Sequence, residues 1–117
     1  MRHHNKNKKF GRVKNQRLAL LRSLAVSLVR DGKIVTTESK AKGLRPFIEK
    51  LITRGRNGGV HALRLINTRL GGQKKAGIKL VNEIAPKYME RKGGYTRITK
   101  LAPKKSDGRK MAVIEFV

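Results

Sequence analysis

Cysteine and tryptophan are absent from the 117 residues, and acid is scarce: seven Asp and Glu stand against 30 Lys and Arg. Without cysteine there is no disulfide framework and no thiolate metal site, which suits a reducing cytosol. The aromatic residues are only Phe10, Phe47, Tyr88, Tyr95 and Phe116. A platform on which successive unpaired bases stack needs more exposed rings than these provide. No apolar run approaches the roughly 18 residues of a membrane span. The basic N-terminus is not followed by the apolar stretch of a secretory signal, so a soluble cytoplasmic protein is expected. The carboxylates, Asp31, Glu38, Glu49, Glu83, Glu90, Asp107 and Glu115, show no spacing that suggests an acid and its base. They read as ion-pair partners, as Glu49 would be for Arg45 four residues earlier on one helix. No site for enzyme chemistry is expected.

What is present in excess is positive charge. The formal net charge is +23, far beyond the magnitude of about 2–8 that suits a small soluble domain. A free chain of this kind repels itself, and its compact state suffers for it. A polyanionic partner resolves the imbalance. Nucleic acid is the first candidate, because each neutralised phosphate releases a condensed counterion. An anionic membrane surface is the rival. The apolar content is that of an ordinary globular protein, and the length suffices for one core rather than two.

From Met1 to Lys14 there are six Lys or Arg and no acid. Residues 1–14 therefore read as a basic tail, disordered until bound, and residues 15–117 as one domain. Leu18, Leu21, Leu24, Ala25 and Leu28 recur at helical spacing over residues 15–30, with Asn15 as N-cap and Asp31-Gly32 as the stop. Lys33 to Thr36 is β-branched and reads as a short strand. Thr37 caps a second helix with Glu38 in its first turn and Ala41, Leu44, Phe47, Ile48, Leu51 and Ile52 on one face. Pro46 falls inside it, so a kink or break is expected there. Arg54 to Gly59 reads as a basic turn. A third helix runs from Val60 to Leu70 and stops at Gly71-Gly72. A fourth carries Ile78, Val81, Ile84 and Ala85 and stops at Pro86. Residues 95–101 and 111–117 then alternate with period two, as strands joined by a long hairpin loop with a basic tip. The order α-β-α-α-α-β-β predicts a two-layer α+β domain, a small sheet covered by helices.

Several local patterns carry less than they suggest. His3-His4 lacks the spacing and companion ligands of a zinc site, so contact with RNA suits it better. His61 reads as a surface residue. Ser39-Lys40-Ala41-Lys42 has the S-x-x-K spacing of certain serine acyltransferases, but none of their other motifs. Gly72 and Gly77 have phosphate-loop spacing, yet Ile78 and Lys79 stand where Lys and Ser or Thr are required.

The basic positions are better organised. Arg2, Lys6, Lys8, Lys9, Arg12, Lys14 and Arg17 run from the tail into the first helix, where Arg22 lies off the leucine stripe. Arg can grip phosphate bidentately and Lys acts as a point charge, so such a run can track an irregular backbone. Few aromatics and much charge favour folded, largely double-helical RNA recognised by shape and phosphate. Tyr95 and Arg97 would alternate onto one face of a strand that begins at Gly93-Gly94, where the sheet edge meets RNA. The competing reading packs Tyr95 in the core and leaves Arg97 solvated. His3, Lys40, Lys42 and Arg45 complete the expected RNA-binding set.

The order of motifs resembles a known family. Met1-Arg2-His3, Gly11-Arg12, Leu18-Ala19-Leu20-Leu21-Arg22, Thr36-Thr37, Lys40-Ala41-Lys42 and Leu44-Arg45-Pro46 are similar to bacterial large-subunit ribosomal protein seventeen. Leu51-Ile52-Thr53, Glu83-Ile84-Ala85-Pro86 and Arg91 with Gly93-Gly94-Tyr95-Thr96-Arg97 follow in the same order. Gln16 stands where the family usually has histidine. The resemblance implies a structural protein on 23S-type large-subunit ribosomal RNA, near the outer surface by the peptide exit tunnel. Neighbouring large-subunit proteins would be its other partners, with no bound cofactor, no membrane and no small-molecule substrate. A DNA-binding architectural protein would also be basic, but no recognition-helix motif appears. A cationic membrane helix over residues 15–30 would leave the later helices and strands without a partner layer.

Overall fold

A computed structural model of the chain describes residues 13–102 and 108–117. The tail expected over residues 1–14 lies outside the described residues except for its last two, as does the tip of the hairpin loop at 103–107.

The first helix, α1, spans Lys14–Asp31. It begins before Asn15, which therefore does not cap it; Val13 holds that position with no side-chain cap, and its carbonyl accepts from the Arg17 N–H at 2.9 Å. Gly32 ends the helix with φ 83°, a left-handed conformation that costs glycine little. Its N–H donates to the Leu28 carbonyl at 2.8 Å. Of the leucine stripe, Ala25 and Leu28 are buried, joined by Val29, whereas Leu18 and Leu21 are only half-buried. The N-terminal half of α1 thus outruns the core.

Strand β1, Lys33–Thr37, leads into helix α2, Glu38–Gly55. The Thr37 hydroxyl accepts from the Lys40 N–H at 3.3 Å, the expected cap. Pro46 does not break α2, which continues for nine residues past it. Losing one helical hydrogen bond and fitting the ring cost about 3 kcal/mol. Burial of Leu44, Ile48, Leu51 and Ile52 on one face offsets this, at roughly 1.5–3 kcal/mol per side chain. Helix α3, Gly59–Arg69, ends where Gly71 and Gly72 turn left-handed. Helix α4, Lys74–Lys79, widens into a π turn over Leu80–Ile84 and tightens into a 3-10 turn over Ala85–Tyr88. Pro86 is therefore not the stop; it sits at the start of the 3-10 turn, where its missing N–H is not needed. The wide turn also shifts the helical phase. Leu80, Ile84 and Ala85 face the core, and Ile78, expected there, is 46% exposed.

Strands β2, Thr96–Lys100, and β3, Met111–Phe116, complete an antiparallel sheet of order β1-β3-β2. The register aligns Ile34, Ile114 and Ile98 across the three strands. These side chains turn inward against α2, which touches every strand. The next row outward is Lys33, Glu115 and Arg97. The two-layer α+β architecture and its element order are those expected from the sequence.

Candidate nucleic-acid interface

Arg2, His3, Lys6, Lys8, Lys9 and Arg12 lie outside the described residues. Lys14 is exposed and Arg17 half-buried in the first turn of α1. Arg22 has a structural task. Its Nε donates to the Arg69 carbonyl at 3.1 Å, and a methyl on Gly71 would meet its Cδ at 3.2 Å. The guanidinium thereby ties the C-terminal end of α3 to α1, at the end of a helix where a cation is favoured. On α2, Lys40 is half-buried and Arg45 is exposed. Lys42 pairs with Glu38 at 2.8 Å, and Lys100 reaches the same oxygen at 3.5 Å. The Lys42 hydrogen bond is the main cause holding the Glu38 carboxyl below its ordinary pKa.

The structure does not put Tyr95 on an exposed strand face. The strand begins one residue later, and Tyr95 is fully buried at 0% exposure. Its ring packs against Tyr88 with centroids 5.2 Å apart. Its hydroxyl lies 3.0 Å from the Thr53 hydroxyl and accepts from Arg56 Nη1 at 3.1 Å. Arg56 Nη2 donates to the Met89 carbonyl at 2.8 Å, so this cation clamps the segment before β2. A phenol needs such a partner when its ring is wholly buried. Tyr95 therefore belongs to the core. Arg97 is on the outer row, exposed but engaged by Glu115 at 3.0 Å.

The polar side of α2 holds a signal the sequence reading passed over. Lys42, Pro46, Lys50 and Arg54 are spaced by four, so they share one side of the helix. Arg54 is still helical rather than part of a turn. With Arg69 from α3 and Lys92 before β2, these residues border an open groove of about 990 Å³. Glu49 also lines it, but its carboxylate is turned to the sheet rather than to Arg45. It accepts from the Thr96 N–H at 3.2 Å and the Thr96 hydroxyl at 2.8 Å. None of the described carboxylates lies within ion-pair reach of Lys50, Arg54, Arg69 or Lys92. A concave surface with four cations outside any ion pair, against one carboxylate, attracts polyanions. Among the described residues there is no cluster of three potential metal ligands, and no helix is long and apolar enough to cross a membrane.

Residues 20–117 match the family described as Ribosomal protein L17. Large ribosomal subunit protein bL17 of Gemmatimonas aurantiaca is 50% identical over 117 residues, covering 100% of this chain and 98% of that protein. The protein of the same name in Persephonella marina is 53% identical over 118 residues, covering 100% and 95%. That of Campylobacter jejuni is 50% identical over 117 residues, covering 100% and 99%. The chain belongs to the ribosomal protein L17 family, a family of structural ribosome constituents rather than enzymes.

Proposed function

We propose that this protein is a cytoplasmic constituent of the large ribosomal subunit that binds and stabilises large-subunit ribosomal RNA during assembly and translation. The observation that carries the reading is the net charge of +23 in a chain of this family. A compact domain with so few internal carboxylates gains most by exchanging phosphate counterions for its own cations. Residues 1–14 act as a basic RNA-binding tail and residues 15–117 as the domain that anchors it. Lys14, Arg17, Lys42 and Arg45 join the groove cations in the contact, and the subunit's outer surface by the exit tunnel, with its neighbouring proteins, is the place of assembly.

Sedimentation of the endogenous protein tests this. It should travel with large subunits and intact ribosomes on a sucrose gradient and leave those fractions when the RNA is digested. Recovery at the top of the gradient from undigested lysate, or in the membrane pellet, contradicts the reading.

A further inference from the structure

The groove beside α2 is more than a charged patch, because apolar side chains share its lining with the cations. Half-buried Leu21 and Phe47 and exposed Pro46 line it alongside the cations. Phosphates, which carry the charge of an RNA double helix, gain nothing from an aliphatic and aromatic lining. A base turned out of its stack does, since its two faces are apolar and stack on aromatic side chains. The dimensions agree. A concavity of about 990 Å³ lies near the upper end of the roughly 300–1,000 Å³ typical of small-ligand sites. One nucleotide with its flanking phosphates fits within such a volume.

We propose that the α2 groove seats an unpaired nucleotide of the bound RNA, its base against Phe47 and Pro46 and its flanking phosphates on Lys50, Arg54, Arg69 and Lys92. This rests on the ribosomal RNA-binding reading and adds to it a site and a ligand. One ring serves one base, so the scarcity of aromatics that excludes an extended single-strand platform is compatible with it. Glu49 is the one carboxylate in the lining, and Thr96 holds its Oε2 toward the sheet, so the cations outnumber it.

The test uses the full chain and two short RNA hairpins of one sequence. One is fully paired; the other carries 2-aminopurine as a single-nucleotide bulge. The bulged hairpin should bind roughly tenfold more tightly, the worth of one base–aromatic stack, with its fluorescence quenched on binding. Phe47→Leu should abolish both the preference and the quenching while leaving the paired hairpin's affinity within about twofold. Phe47 packs against the core, so K50Q/R54Q provides the second arm on exposed side chains, with circular dichroism as the folding control. That variant should lose most of the preference as well. Equal binding of the two hairpins by the unaltered chain, or a preference that survives both variants, overturns the groove proposal alone. Failure to bind either hairpin at low salt overturns the RNA-binding reading itself.

Discussion

Tyr95→Phe separates a structural tyrosine from an RNA-contacting one. The substitution keeps the buried ring and its packing on Tyr88 but deletes the hydroxyl shared by Thr53 and Arg56. A hydrogen bond to a charged donor contributes about 1.5–3 kcal/mol net, and one between neutral groups about 0.5–1.5. Thr53 is exposed and Arg56 half-buried, so water replaces part of what is removed. Arg56 also keeps its bond to the Met89 carbonyl. The expected cost is about 1–2 kcal/mol. For a chain of this length that lowers the thermal midpoint by roughly 4–10 °C. The assay is thermal unfolding followed by circular dichroism, paired with RNA affinity measured well below the midpoint. Stability should fall and affinity should not. A midpoint unchanged within about 1 °C together with roughly tenfold weaker RNA binding would refute the burial argument.

Gly55→Ala puts a methyl 3.0 Å from Leu80 Cδ2, 3.2 Å from Ala85 Cβ and 3.3 Å from Ile66 Cδ1. Overpacking should outweigh the gain in helix propensity and destabilise the fold by about 1–2 kcal/mol, read from urea unfolding. Glu38 has its pKa lowered by Lys42 and Lys100, so its contribution is present above the ordinary carboxylate range and lost as pH falls through the depressed value. Glu38→Gln should therefore melt lower than the parent chain at neutral pH, with the gap closing under acid; a gap that widens there contradicts the pairing. Arg97→Gln removes an exposed ion pair and should change stability by no more than about 1 kcal/mol, again by urea unfolding.

The element order was legible because period and punctuation agree along most of the chain. Thr37 and Gly32 each do in the fold what their residue type favours. At Pro46 the sequence shows the local cost but not the buried face that keeps α2 unbroken. Ile78 misled because a π turn leaves no mark in a pattern counted at 3.6 residues. Tyr95 follows flexible-looking Gly93-Gly94 and precedes an alternating strand, so its neighbours suggest a surface. Its partners Thr53, Arg56 and Tyr88 lie elsewhere in the sequence, and only the fold brings them together. The groove divides in the same way. Its Lys42-Pro46-Lys50-Arg54 side was readable from spacing alone, whereas Arg69 and Lys92 arrive from other elements. Nor does sequence spacing show that Glu49 turns from Arg45 to Thr96.

If phosphate contacts hold this protein on ribosomal RNA, as proposed, salt dependence reads them directly. Affinity of the purified chain for large-subunit ribosomal RNA should be measured across a series of monovalent salt concentrations. The logarithm of affinity should fall linearly with the logarithm of salt, with a slope of about 0.7–0.9 per contacted phosphate. Several contacts make that slope steep. Removing residues 2–12, with five of the 30 cations, should reduce it. A slope near zero between low and moderate salt would contradict the account.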